Sequence, residues 1–510
     1  MVSIIAGGCV DPADNLGLVA SLAEPVPGGP VVAARELALT TAVPTTLRLT
    51  VDGPSAHPAL WFATPAIART LPVLGFEPGA ENVVTAEVTD PASGEAASIS
   101  WTIAAAPLPA IFPEVEVLAG DDAVEPGWTL LDVKSPDSVG YLVMFDEAWR
   151  PVWWWDSDVE FGDCRPATGE GLWCLGSGQA WAIDLLGGTH TVWGAEGGAA
   201  ERVVGLPWSG LSHELLPFED GFVSIHAVPL DVPLYPADEA TPEVLTPARI
   251  ADTRVVSFAD DGAVRRDLAM STLLDPQRIG FDSLDTTDEG YDWAHGNGLV
   301  VDPSGALIVS LRHQDALVSV GEDDAPQWIL GTPSGWVEPW ASMRLTPVGS
   351  PFSWPFHPHA PALTEGGVLY MFDNQFRGYT PYDVPVEESP SRAVGYRVDA
   401  AARTVEQVFA FSETATGPLF SSALGDVDVL PATGNVFVDF GFLTGESGVD
   451  NLDRGWGLRS VRLVEWDESG AVLADVRLRS DASRVPSGWK TYRAERWSPW
   501  AVYGGVWDEP

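Results

Sequence analysis

Between Leu47 and Ala105 the chain alternates apolar and polar positions in short runs, LRLTVDG, ALWFATPA, NVVTAEVTD and ASISWTIAA, separated by turn residues. A period of two gives each run one apolar face, the mark of a half-buried strand. Short strands with turn signals at this spacing predict a small immunoglobulin-like β-sandwich over residues 25–106. The Pro- and Ala-rich AAAPLPAIFPE beginning at Ala104 ends the alternation and marks a linker at 107–114.

From 115 to 510 the pattern becomes a loose repeat with two halves. One half is a turn followed by an apolar strand: GEGLWCLGSG, PFEDGFVSIH, DPSGALIVSL, TEGGVLYMFD and PATGNVFVDFG. The other is a strand, an acidic turn and a second strand, as in VMFDEAWRPVWWWD, VVSFADDGAVRRDL and SVRLVEWDESGAVLADVRL. Five copies of the first half against six of the second predict an all-β six-bladed β-propeller, with the C-terminal WKTYRAERWSPWAVY supplying the missing inner strands of one blade. Closure by both chain ends removes the open sheet edges that a stack of sheets would leave. Two long insertions, starting at Leu230 and Thr272, are candidates to wall a pocket.

Composition agrees with this reading and narrows the function. A chain of 510 residues exceeds one ordinary core, and 51 Gly with 43 Pro favour turn-rich β structure. With 72 acidic against 27 basic residues the net charge is −45, and Lys134 and Lys490 are the only lysines. Such a surface repels duplex nucleic acid and anionic membranes, so no nucleic-acid partner is expected. No run reaches the about 18 to 20 apolar residues of a membrane span. Residues 1–24 read as an N-terminal tail whose MVSIIAGGC is a candidate remnant of a lipoprotein signal, with Cys9 as the lipidation site and the only membrane attachment expected. Cys164 and Cys174, ten apart around a turn-rich loop, are the natural disulfide pair and point to a periplasmic or extracellular location.

The candidate chemistry is a trio of histidines. SHELLPFEDGFVSI, HGNGLVVDPSGALIVSLRHQ and HPHAPALTEGGVLYMFDN each carry a histidine shortly before a turn glycine, Gly221, Gly305 or Gly366. His213, His295 and His359 are therefore expected at one place in three successive blades, facing one another across the central channel. Asn297 should share the strand face of His295 by the period of two, and Arg312 ends the following hairpin. Arginine and amide beside neutral imidazoles suit a tetrahedral oxyanion, whereas a metal site would recruit a carboxylate, so no metal and no cofactor are expected. Trp293, Phe352, Trp354 and Phe356 are candidates to hold an aryl ring.

These residues carry a resemblance. DWAHGNGLVVDPSGALIVSLRHQDALVSV followed by WILG, with its His-x-Asn and S-x-R-H-Q, is similar to the signature of the bacterial aryl-sulfate sulfotransferases; SHELLPFEDG, His359 ahead of Phe372-Asp373-Asn374, and LPVLGFEPGAENVVTAEV add weaker matches. The resemblance implies a transferase that moves a sulfuryl group from an aryl sulfate to a phenol without PAPS, the nucleotide donor, by ping-pong through a sulfo-histidine. By motif, His359 is the nucleophile, and His213, His295, Asn297 and Arg312 match the family's other site positions. The family's Gln-His-Asp around the nucleophile is here Pro358-His359-Ala360, which leaves His359 without an acidic neighbour and makes His357 its rival. Two other readings remain: a non-catalytic propeller that binds sulfated or other anionic ligands, and a metal-dependent propeller hydrolase.

Overall fold

The computed structural model describes residues 16–24, 29–55, 58–120, 123–137, 139–156, 159–167, 169, 171–194, 200–385, 389–444 and 458–507. Cys9 lies outside them. Among the described residues the fold is almost entirely β, with one helical turn at Met270–Leu273 and three short 3-10 turns. No helix among them is long and apolar enough to cross a membrane.

The alternating N-terminal region forms one antiparallel sheet from Val19–Ala23, Arg35–Asp52, Leu60–Val73, Glu81–Thr89 and Ala96–Ala104. Its long second strand pairs with Leu60–Val73 on one edge and, farther along, with Glu81–Thr89 on the other. The inward positions of the alternating runs, among them Leu47, Leu49, Val84, Ala86, Val88, Ile99 and Trp101, are buried in an apolar cluster that continues into Trp128, Trp153 and Trp181 of the following sheets. The C-terminal strand Val506–Trp507 returns to pair with Leu60 and Trp61. The predicted linker carries no strand before Glu114–Ala119.

Six more sheets of four to six strands follow. Here alternation gives way to continuous apolar runs because both faces of each sheet are covered by its neighbours. Leu307–Leu311 and Ala316–Val320, for example, are buried at every position. Each sheet presents one edge strand to its neighbours: Phe161–Pro166, Ser212–Phe218, Gly296–Val301, Pro358–Leu363, Asp426–Val429 and Ala494–Trp497. Side chains from three of these strands meet Arg493, which immediately precedes Ala494–Trp497: its guanidinium pairs with Asp163 at 2.7 Å, Asp426 at 2.9 Å and Glu214 at 3.2 Å. Three of these edge strands and the residue leading into a fourth are thus joined by one buried ionic network.

Both chain ends take part in closure. Ala494–Trp497 pairs antiparallel with Trp128–Ser135 and so supplies the first strand of a sheet otherwise built from the N-terminal side. Glu114–Ala119 in turn supplies the last strand of the sheet that contains Val472–Arg479. Cys164 and Cys174 stand opposite each other on adjacent strands and form a buried disulfide with a Cα–Cα distance of 4.1 Å.

Candidate active site

An open pocket of about 420 Å³ is lined by His213, His295, His359 and Arg312, with Asp282, Asp285, Phe376, Phe442 and residues 422–424 completing the wall. Asp282 and Asp285 come from the insertion that begins at Thr272, so that insertion does wall the pocket. The insertion at Leu230 contributes no lining residue.

The three histidines do not occupy equivalent ladder positions. His213 sits inside a bulge between Ser212 and Leu215, His295 just precedes its strand, and His359 is the last paired residue before a bulge at Ala360 and Pro361. His213, His295 and Ala360 have φ of +68°, +46° and +46°, a backbone region costly for residues other than glycine. A bulge inserts an extra residue and re-aims its neighbours, so local distortion, rather than equal spacing, brings the imidazoles together. The His213 and His295 rings lie 5.0 Å apart, and Tyr492 stands between His213 and His359, 6.0 and 5.1 Å from their ring centres. In the third segment Gly366 stands in the turn, as expected, and Gly367 after it takes the left-handed conformation.

Each imidazole has a defined partner. His359 is 2 % exposed, and its Nδ1–H donates to the Gly425 carbonyl at 2.6 Å, which leaves Nε2 with its lone pair. Burial pushes its basicity well below that of an ordinary imidazole, reinforced by His213 nearby. A backbone carbonyl just ahead of the strand Asp426–Val429 thus orients this ring in place of the acidic residue missing at Ala360. His213 Nδ1 lies 3.1 Å from the Tyr492 hydroxyl, and desolvation together with the His295 ring holds His213 down to about 3. His295 Nδ1 is 2.5 Å from the Asp292 carboxylate. Arg312 donates through Nη1 to His313 Nε2 at 2.7 Å and through Nη2 to the Ser422 carbonyl at 3.1 Å, with Asp282 at 3.5 Å. His313 is anchored from behind by Nδ1–H donation to the Asp292 carbonyl at 2.6 Å.

Several expected positions lie elsewhere. Asn297 is fully buried in the bulge of its strand, where the period of two fails; its amide donates to the Pro358 carbonyl at 2.8 Å, one residue before His359, and it does not line the pocket. His357 is also fully buried, behind Phe376, with Nδ1 3.0 Å from Asp315 and Nε2 3.8 Å from Asp282. None of the four expected aryl contacts lines the pocket. Trp293 is a core residue whose indole donates to the Arg278 carbonyl. Phe352 and Trp354 pack edge to face at 4.8 Å against the seam between two sheets, where an apolar cluster draws them in. Phe356 is partly buried and tied by its backbone N–H to Asp373. The aromatic wall comes instead from Phe376 and Phe442.

Asp292, His313 and Tyr492 were missed as site residues although the sequence offered a signal for each. Asp292 and His313 lie inside DWAHGN and SLRHQ, and Tyr492 lies in the segment expected to close the ring. Gly425 had no such signal, because a carbonyl contact leaves no trace in residue type.

Asp292, His295 and His313 also place ligand atoms within 4.8 Å of one another, the spacing of a metal cage. Their chemistry fits a cation poorly. His313 already uses Nδ1 on a carbonyl and Nε2 on Arg312, whose fixed positive charge adjoins the site.

Residues 114–482 match the family profile described as Arylsulfotransferase (ASST). A protein named Arylsulfate sulfotransferase AssT from Escherichia coli O6:H1 is 29% identical over 221 residues, 39% of this chain and 36% of that protein. Its namesake from Lelliottia amnigena is 30% identical over 139 residues, 24% of this chain and 23% of that protein. The chain therefore spans about a third or less of the length of these curated relatives. Among solved structures, a protein of unknown function from Bacteroides caccae aligns with a TM-score of 0.38 and 11% identity over 72% of this chain and 100% of that one. Virginiamycin B lyase from Staphylococcus aureus aligns at 0.33 and 8% over 71% and 88%. Neither likeness is close enough to bear on fold or activity.

Proposed function

Because the chain belongs to the arylsulfotransferase family, we propose that it moves a sulfuryl group from an aryl sulfate to a phenol, without PAPS, by ping-pong through a sulfo-histidine at His359. The observation that carries this reading is the state of His359. Its Nδ1 is committed to Gly425, its ring lines the pocket, and its basicity is low enough to keep it neutral at physiological pH. A neutral imidazole with a free Nε2 is a competent nucleophile at sulfur.

In the first half-reaction Nε2 of His359 bonds to sulfur as the sulfur–oxygen bond of the aryl ester breaks. Arg312 holds the non-bridging oxygens, and protonated His295 gives its Nε2 proton to the departing phenolate. In the second half a phenol yields its proton to His295, its oxygen bonds to sulfur, and the sulfur–nitrogen bond breaks. Phe376 and Phe442 offer the aryl ring its apolar walls. His213 completes the donor surface, and Asn297 acts at one remove by fixing the backbone ahead of His359.

The fold carrying this chemistry we read as a six-bladed β-propeller preceded by an immunoglobulin-like β-sandwich. Six sheets and a two-ended closure support the first part, and an antiparallel sheet whose long strand Arg35–Asp52 pairs on both edges supports the second. The disulfide favours an oxidising compartment, periplasmic or extracellular.

Incubation with 4-nitrophenyl sulfate alone, followed by digestion and mass spectrometry, should find one sulfuryl adduct, on His359. Adding phenol should discharge it and sustain release of 4-nitrophenol. His359→Ala should do neither, and an adduct on another residue or turnover insensitive to phenol would overturn the proposal.

A further inference from the structure

The four imidazoles at the site are equivalent in chemistry but not in what holds them. The Nδ1 atoms of His213, His313 and His359 face a tyrosine hydroxyl, the Asp292 carbonyl and the Gly425 carbonyl, all uncharged. Uncharged partners in a buried setting favour a neutral ring, and desolvation lowers all three. His295 is the one of the four hydrogen-bonded to a carboxylate, that of Asp292 at 2.5 Å, which stands 3.9 Å from His313 Nδ1, and it remains 30 % exposed at the pocket wall.

Asp292 is itself well fixed. Its N–H donates to the Asp285 carbonyl at 2.8 Å, and its own carbonyl receives His313, which in turn receives Arg312. Burial alone would raise its carboxyl, but the His295 ring and their hydrogen bond bring it below the usual carboxylate range. One residue thus anchors two arms of the site: the main chain supports the arginine that grips the sulfuryl oxygens, and the side chain supports one imidazole.

We infer that Asp292 is a positioning residue that assigns acid–base work to His295, holding its proton on Nδ1 so that Nε2 gives a proton to the leaving phenolate in one half-reaction and takes one from the acceptor phenol in the next. The inference rests on the sulfuryl-transfer reading above and adds a division of labour to it. Protons balance over the cycle: His295 loses Nε2–H when the sulfur–oxygen bond breaks and regains it when the acceptor attacks. The carboxylate stays ionised throughout and stabilises the imidazolium, as an orienting carboxylate does in an acid–base triad.

Asp292→Asn is the informative change because it keeps the main-chain carbonyl, and with it the His313–Arg312 arm. A hydrogen bond to a charged group contributes about 1.5–3 kcal/mol, so kcat/KM for phenyl sulfate, whose phenolate needs a proton, should fall about 10- to 150-fold. With 4-nitrophenyl sulfate, whose phenolate leaves unaided, the loss should stay below about threefold, since the contribution then has no proton transfer to act on. Asp292→Glu should recover part of the phenyl sulfate activity. Independently of any variant, isotope-labelled histidine spectra of the wild type should show His295 protonated on Nδ1, with that proton strongly deshielded. Equal losses for both donors, no loss for either, or an unprotonated Nδ1 would each overturn the inference. A wild-type protein that transfers nothing from either donor would instead remove the functional reading, and this inference with it.

Discussion

Replacing Arg312 with lysine keeps the charge and discards the geometry. The guanidinium has five N–H donors. Three are directed at His313 Nε2, the Ser422 carbonyl and Asp282, which leaves two for a ligand in the pocket. Two donors on one rigid plane match two oxygens of a sulfuryl group, whereas an ammonium has three donors on a single atom and cannot satisfy both His313 and Ser422 while gripping the ligand. Loss of one donor aimed at the charge of the transferring group costs about 2.7–4 kcal/mol, or roughly 10² to 10³ in kcat. Because Lys retains a point charge near Asp282, the lower end applies, and about 100-fold is expected for Arg312→Lys with 4-nitrophenyl sulfate and phenol. The side chain is only 12 % exposed, so an acceptor left unpaired should also lower stability by about 1–3 kcal/mol. Steady-state turnover and urea unfolding on one preparation separate the two effects. A folded Arg312→Lys variant within about fivefold of the wild type would refute the argument that fork geometry holds the sulfuryl oxygens.

Two further outcomes follow from the same geometry. His359 lies well below the ordinary imidazole value of about 6.5, so its neutral form persists as pH falls through that value; capture of the sulfuryl group from 4-nitrophenyl sulfate, followed in the first turnover, should show no acid limb near pH 6.5. A limb centred there would mean that the nucleophile is an ordinary exposed histidine. Joint replacement of Cys164 and Cys174 by alanine reopens a loop with a sequence separation of 10, which corresponds to about 2.7 kcal/mol of chain entropy, with some further loss from the emptied buried volume. Urea unfolding should register it, and a variant as stable as the oxidised wild type would show that the cross-link contributes nothing.

Much of the fold was legible because strand patterning is local. The alternation of Glu81–Thr89 reports one buried face, and the unbroken apolar run of Leu307–Leu311 reports two. The histidines, Arg312 and the cysteine pair were legible as residue types in short motifs. Their geometry was not. Counting by twos from His295 put Asn297 in the pocket, but the bulge turned its amide onto Pro358 instead. Aromatic character near the motifs pointed to Trp293 and Trp354, while packing between sheets claimed both and left Phe376 and Phe442 at the wall.

The sequence by itself determined a β-rich chain with repeated sheets, a cross-link between neighbouring strands, and a set of His and Arg residues in an acidic body. These properties depend on composition and on residues a few positions apart. Tertiary structure alone decided which imidazole nitrogen is free and which is committed. His359 receives its partner from Gly425, 66 residues away, and His213 receives its own from Tyr492, 279 residues away. Contacts over such separations depend on bulges, sheet order and the joining of the chain ends, and none of these is encoded in a local pattern of hydrophobic and polar positions.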